Sequence, residues 1–533
     1  MKMDCNSKTA KLWAFRDAIS ECGDAGRLLD DREALVRGRD TFAHGDDCAP
    51  FVIVKLSTTD EVERALALAR QHGLSVQPVS TGRNWGYGSI RPASSDTKVI
   101  FDLSGMTRIL SFDEELGIVT VQPGVTQGDL DRFLKARDAS YMVPTTGAGP
   151  SCSLLGNALE RGYGLTPIAD HFQAVLGLTA VLASGTRYTS PFLDPNGTDA
   201  SRLPVYRWGV GPYLDGLFAQ NGGAIVTSAT IQLAPRPKRT EMFCFWLSDE
   251  RHLPAAVAAV RELMTRSGLM IGGINLMNSA RVSLVAGSSA SAGAPWIGTG
   301  VLYGDPAAIA AGRKIIRRAL SPLSRRVVFI NPMKLRLLRF CSGIPLIGRK
   351  LTALQNSVAS AHNVLSGYPE EFALPLAYSK RAGDVPESNL NPARDKCGLL
   401  WYAPIVPMRA ASVSLYTEMA NSTCQKHGFD AAITFSTVSA SGFDSTIPLV
   451  FPRDEANSAR ALECLRHLID EGRKLGFQPY RFHSALMEEA TSTADDHWRL
   501  AQSISAVIDP DGLIAPGRYQ RPSPSFQTAD ASS

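Results

Sequence analysis

An α+β protein built from two unlike parts is what this sequence predicts, and three observations carry the expectation. Over residues 46–238, short β-type runs alternate with helical segments, the pattern of an α/β unit. The stretch "APRPK" (234–238) then ends that alternation with two prolines. Beyond it, over 239–495, the texture changes to longer strands and helices interrupted by the Gly/Ser/Ala-rich "VAGSSASAGAP" (285–295), read as a mobile loop. At 533 residues the chain also exceeds what one core covers, so two or more domains are expected.

The elements follow in order. Residues 1–45 are charged and helical in pattern, an N-terminal arm. "FVIVKLS" (51–57) reads as a buried strand, and "TDEVERALALARQHG" (59–73) as a helix with a Thr/Asp cap and a glycine stop. "SVQPVS" (75–80) is a second strand, followed directly by the loop "STGRNWGYGS" (80–89). "KVIFDLS" and "GIVTVQPG" are further strands, "TQGDLDRFLKAR" (126–137) is a helix, and "GAIVTSATIQL" (223–233) is the unit's last strand. In the second part, "TEMFCFWLS" is strand-like and "HLPAAVAAVRELMTRSG" is a long helix. Later, "SVSLYTEMANSTCQKHGF" precedes the strand-like "DAAITFSTVS". Residues 496–520 read as a helix and a turn, and 521–533 as a disordered tail.

Composition narrows the function classes. A hydrophobic fraction of 44% and a charged fraction of 20% are those of a globular protein. A net charge of +4 without a Lys/Arg block gives no nucleic-acid signature, so a small-molecule substrate is expected. Nine cysteines, an odd number without a CxxC pair, read as reduced thiols. The N-terminus lacks the apolar core of a signal peptide and no run reaches the length of a membrane span, so a cytoplasmic location is expected. The basic, apolar stretch 334–351 reads as a helix-turn segment folded onto its own domain. No GxSxG elbow, HExxH pair or P-loop occurs, and no metal ligands are assigned.

The loop at 80–89 is compatible with a plain structural turn. Glycines after a strand equally suit a phosphate, because they bring bare amides together. A second glycine-rich segment, "PTTGAGPSCSLLGNALERGYGLTPIADHF" (144–172), favours a long phosphate-containing ligand held along its length. Together "STGRNWGYGS", "QPGVTQGDL", "LLGNALERGYGLTPIADHF", "VGPYLDGLFAQNGGAIVT" and "VIDPDGLIAPGR" resemble the vanillyl-alcohol oxidase and p-cresol methylhydroxylase family, from about 50 to 520 and weakly over 240–395.

That resemblance implies an FAD-binding domain of two α/β subdomains (46–238) and a cap domain on an antiparallel sheet (239–495), to which 496–520 returns. Ser80, Thr81, Gly82, Arg83 and Asn84 would meet the FAD pyrophosphate. Ser153, Gly156, Asn157, Glu160, Gly162, Ile225, Val226 and Arg518 would line the cofactor further along. The family oxidises para-substituted phenols at the benzylic carbon, and its phenolate-binding residues fall on Tyr87, Tyr480 and Arg481, with an acid near the flavin ring at Asp170. Many members tether FAD through a His or Tyr, but that position falls on Leu399, which implies noncovalent FAD unless the nearby Tyr402 serves. Where the family often carries paired histidines, this chain has Asp444 and Ser445, which opens the alternative of a non-phenolic alcohol, amine or natural-product intermediate. O2 or a cytochrome would take the electrons, and a homodimer or larger assembly is implied. A flavin-binding subunit without activity of its own is the third reading, and Asp170 speaks against it.

Overall fold

The computed structural model describes residues 4–43, 51–194, 203–266, 271–286, 293–336, 348–491 and 495–520. Most of 285–295 and of 334–351, and the tail from 521, fall outside these residues.

The first sheet is parallel where it matters. Strand Val99–Asp102 lies between Val52–Lys55 and Val76–Val79, parallel to both, and the short Arg27–Leu28 pairs antiparallel at the edge. The crossover helix Thr59–Gln71 starts where Thr58 accepts the Glu61 amide at 3.1 Å. Its apolar face (Val62, Ala65, Leu66, Ala69) buries against Val54, Val76 and Phe101, and Phe15 and Ile19 of helix Asp4–Cys22 complete that core. This topology leaves the loop 80–89 at the carboxyl end of Val76–Val79, where α/β sheets open toward ligands.

The second sheet is antiparallel throughout, in the order Ile109–Asp113, Ile118–Val121, Ala224–Gln232, Val175–Leu182, Arg187–Thr189. Helix Gln127–Ala136, opened by a Thr126/Asp129 capping box, packs Leu130 and Leu134 onto it. Thus the strand–helix alternation of the sequence corresponds to a parallel sheet only in the first half of this unit.

The third sheet is also antiparallel and has eight strands. Its path runs Ser324–Ile330, Arg239–Leu247, Trp296–Gly304, Ile271–Asn278, Thr434–Thr437, Gly442–Phe451, Gly398–Tyr402, and Ile405–Pro407 pairs off that path with Gly442–Phe451. Helices Leu253–Arg266, Pro306–Leu320, Ala410–Lys426 and Glu455–Lys474 share its largest hydrophobic core.

Chain ends tie these units together. The Val76 amide donates to Leu513 O and the Ala515 amide to Val76 O, both at 2.8 Å, so the C-terminal segment extends the first sheet's edge. The Asp509 carboxylate fixes that return by accepting the Leu513 and Ile514 amides, each at 2.8 Å. From the N-terminal side, Thr41 Oγ1 donates to Leu399 O (3.0 Å) and accepts from the Gly86 amide (2.9 Å), joining cap strand and loop. Among the described residues no helix is long and apolar enough to cross a membrane.

Candidate active site

A cavity of about 410 Å³ runs between the two glycine-rich segments and under the third sheet. Its first wall is the loop Ser80–Asn84. Arg37, from helix Asp31–Arg37, bonds Asp102 at 2.7 Å and donates to Thr81 O at 2.8 Å and Ser80 O at 3.3 Å. With those carbonyls held by Arg37, the amides of Thr81, Gly82, Arg83 and Asn84 donate to no protein acceptor among the described residues. Arg83 Nε is likewise shielded and unpartnered among them, and burial lowers the pKa of that guanidinium. Four free amides and an unsatisfied buried cation make a donor set without its acceptors, which fits a diphosphate. Sequence reading found the loop but missed Arg37; only a basic residue in a short capped helix marked it.

The second segment closes over this loop. Ser153, Gly156, Asn157, Glu160 and Gly162 all line the cavity. Gly156 leaves no room for a side chain, since a Cβ there would stand 2.2 Å from Ser80 Oγ. Burial opposes the charge of Glu160, but Arg518, which pairs with it directly, and Arg481 at 3.8 Å hold its carboxyl below the ordinary range. Arg518 reaches the cavity because the C-terminal segment returns to the first sheet.

Two expected positions lie elsewhere. Along Ala224–Gln232, Ala224 and Val226 face the cavity while Ile225 is buried in the first sheet's core, as strand alternation requires. Of Ile225 and Val226, the pair expected at the ligand, it is Val226 whose side chain faces the cavity. Asp170 is not among the residues lining the cavity; its Oδ1 accepts the amides of Phe172 (3.0 Å) and Gln173 (3.1 Å), opening a turn. Its neighbour His171 is buried with Nδ1 2.6 Å from Asn157 Oδ1, and burial pushes its pKa down to about 4.

At the other end Tyr87, Tyr480 and Arg481 come together. Gly86 (φ +79°) and Gly88 (φ +104°) flank Tyr87, and a Cβ on Gly86 would stand 2.2 Å from Trp401 Cδ1. Arg481 Cζ lies 4.2 Å from the Tyr87 ring centroid, and the guanidinium also bonds Asn84 Oδ1. Burial works against its charge, yet Tyr87, Tyr480 and Glu160 raise its pKa overall, and Nε keeps no partner among the described residues. Burial raises the Tyr87 and Tyr480 hydroxyls, with Arg481 opposing in both, so both stay protonated at neutral pH. Tyr480 packs edge-on against Tyr163 at 5.3 Å.

The cap supplies the last wall. On strand Gly398–Tyr402, Leu399 and Trp401 line the cavity, whereas Leu400 and Tyr402 lie in the cap core. Asp444 lines the cavity with Oδ2 3.5 Å from the Tyr480 hydroxyl and Oδ1 unpartnered among the described residues. Burial pushes its carboxyl up to about 7, against the pull of Arg481. Arg281 and Trp401 are cavity residues that sequence reading missed: Arg281 comes from the region where the motifs fade, and Trp401 from a strand read only for Leu399 and Tyr402. Among the described residues no cluster of His, Cys, Asp or Glu could hold a metal ion.

This geometry has recorded counterparts. Residues 50–190 match the FAD binding domain family model. The chain is 31% identical to the 1'-carboxy-chondrochloren decarboxylase of Chondromyces crocatus, across 95% of this chain and 96% of the relative. It is 27% identical to the 4-cresol dehydrogenase (hydroxylating) flavoprotein subunit of Pseudomonas putida, over 88% of each. The fold superposes on 4-ethylphenol oxidase from Gulosibacter chungangensis, solved as an isoeugenol complex, with a TM-score of 0.83, 22% identity and 98% coverage of both chains.

Proposed function

Because this chain belongs to the vanillyl-alcohol oxidase and p-cresol methylhydroxylase family and is an FAD-dependent oxidoreductase, we propose that it removes a hydride from the benzylic carbon of a para-substituted phenol or 4-hydroxybenzylic alcohol. The observation that carries this is the largely buried Arg481 guanidinium, 4.2 Å from the Tyr87 ring and adjacent in sequence to Tyr480, with its shielded Nε–H still unfilled among the described residues. A phenol must lose its proton before its ring electrons can expel a hydride from the para substituent, leaving a quinone-methide-like intermediate. Arg481 supplies fixed positive charge for the phenolate, and the protonated Tyr87 and Tyr480 hydroxyls donate to its oxygen.

FAD supplies the two-electron acceptor when bound. In this reading the amides of Thr81 to Asn84 and the Arg83 side chain hold its diphosphate, while Ser80, Ser153, Gly156, Asn157, Glu160, Gly162, Val226 and Arg518 enclose it. Binding is noncovalent: Leu399 carries no nucleophile, and Tyr402 belongs to the cap core.

One experiment tests both parts. Anaerobic 4-ethylphenol bleaches the wild-type flavin, and Arg481→Ala slows that bleaching about 10²–10³-fold, the usual effect of losing one such donor. Wild-type rates in the variant sink the phenolate reading. After acid precipitation the yellow colour stays in the supernatant; a yellow pellet sinks noncovalent attachment. A second reading, the same flavin chemistry on a non-phenolic alcohol, amine or natural-product intermediate, is favoured by Asp444 and Ser445 and by the relative named for decarboxylating 1'-carboxy-chondrochloren. Bleaching by such compounds and by no 4-alkylphenol selects it.

A further inference from the structure

Three arginines that line the cavity, Arg83, Arg281 and Arg481, each keep a solvent-shielded N–H without a protein acceptor among the described residues. Two of them are accounted for. Arg83 belongs to the loop of free amides, and Arg481 to the tyrosine pair. Arg281 belongs to neither group.

It sits on helix Ser279–Ala286, which follows strand Ile271–Asn278 of the cap sheet, and the Asn278 side chain fixes the helix start by accepting the Arg281 amide at 2.9 Å. Its guanidinium carbon lies 5.2 Å from the centroid of Trp401, the residue that packs on Gly86 beside Tyr87. Both Nε and Nη1 are shielded and without an acceptor among the described residues. The Asp444 carboxylate is near enough to favour the charge of Arg281, yet the two form no ion pair among the described residues. Burial brings the guanidinium pKa down to about 10, so it remains a cation at neutral pH.

A half-buried guanidinium with two shielded, open donors is half of an interaction whose other half arrives with a ligand. Its place on the cap wall beside Trp401, which packs on Gly86 next to Tyr87, puts that ligand on the substrate side of the cavity. An arginine fork matches the flat, two-oxygen face of a carboxylate better than any neutral group. Trp401 supports the same assignment by packing its ring against the guanidinium, which holds the arginine at the cavity wall.

We propose that Arg281 is a specificity-determining residue that binds a carboxylate carried on the para substituent of the substrate, so that the preferred substrate class is a 4-hydroxyphenyl carboxylic acid. The proposal rests on the phenol reading above, with the phenol at Tyr87, Tyr480 and Arg481 and the acid at Arg281.

The probes are 4-hydroxycinnamate, which has the phenol and the acid but no saturated benzylic carbon to oxidise, and 4-vinylphenol, which lacks the acid. Each is titrated into the FAD-loaded full-length protein by calorimetry at pH 8, so the readout is affinity and requires no turnover. The wild type is expected to bind 4-hydroxycinnamate at least tenfold more tightly than 4-vinylphenol. Arg281→Gln is expected to lose at least tenfold for the acid and less than twofold for 4-vinylphenol, and Arg281→Lys to recover part of the loss. Equal wild-type affinity for the two probes overturns the carboxylate subsite and needs no variant to fold. So does an Arg281→Gln variant that weakens both probes alike. If neither probe binds the wild type, the phenol reading itself fails and takes this proposal with it; 4-vinylphenol binding without preference for the acid removes the subsite alone.

Discussion

At Gly86 a backbone requirement and a packing requirement coincide: φ is +79°, and a Cβ would stand 2.2 Å from Trp401 Cδ1. Gly185 has a similar φ of +86° with nothing within 4 Å, so it isolates the backbone part. Gly86→Ala is expected to destabilise the fold by more than Gly185→Ala, which pays only the strain of about 1–3 kcal/mol usual for a left-handed non-glycine residue. Chemical denaturation of the two variants measures the difference, and equal losses would show that Trp401 moves aside freely. At this scale the sequence was informative where a residue type is rare in its setting. Three glycines around Trp85 and Tyr87 announce a special loop, and a Tyr–Arg pair announces polar chemistry. Arg281 announced nothing, because one arginine in an amphipathic helix is ordinary, and its lack of a partner exists only in three dimensions. Asp170 is the reverse case: its motif drew attention, and in the fold its carboxylate accepts two amides at the start of a turn.

Alternation along strands decides which neighbours reach the cavity. Leu399 and Trp401 face it while Leu400 and Tyr402 do not, and Val226 faces it while Ile225 does not. Sequence reading located both strands but not their phase relative to the ligand, because strands buried on both faces carry no polar alternation to mark a side. The N-terminal arm shows a related blind spot. Residues 38–43 fall in the stretch read only as a charged helical arm, yet Thr41 joins the loop to strand Gly398–Tyr402 through one hydroxyl. Thr41→Val keeps the shape and leaves the Gly86 amide and Leu399 carbonyl unpaired in a buried place, with an expected loss of about 1–3 kcal/mol. Thr41→Ser is expected to retain most of the stability. Denaturant midpoints separate the cases, and a neutral Thr41→Val would mean that the junction has another support.

Across the molecule, two buried groups set opposing trends of stability with pH. His171 has its pKa lowered from 6.5 to about 4, so the fold loses stability as pH falls through that window while the unfolded chain takes up the proton. Asp444 is raised from 3.8 to about 7, so the fold loses stability as pH rises through that window while the unfolded chain ionises. The windows overlap and their contributions largely cancel in the wild type. Asp444→Asn removes one side, so its stability relative to wild type is expected to improve by about 4 kcal/mol between pH 4 and 7, at about 1.36 kcal/mol per unit. Unfolding free energies at several pH values test this, and a difference independent of pH would refute it. The two-part architecture was visible in the sequence through the change of texture near 238, whereas the antiparallel second sheet was not, because pairing direction leaves no mark in a short buried strand. The return of the chain's last segment to Val76 also imposes an order in time. Residues 513–515 leave the ribosome more than 400 residues after Val76, roughly 20–90 s later at ordinary synthesis rates. For that interval the earliest-made sheet waits with an open edge, and Arg518, which comes later still, has yet to meet Glu160. Enclosure of the ligand therefore waits until synthesis has passed Arg518.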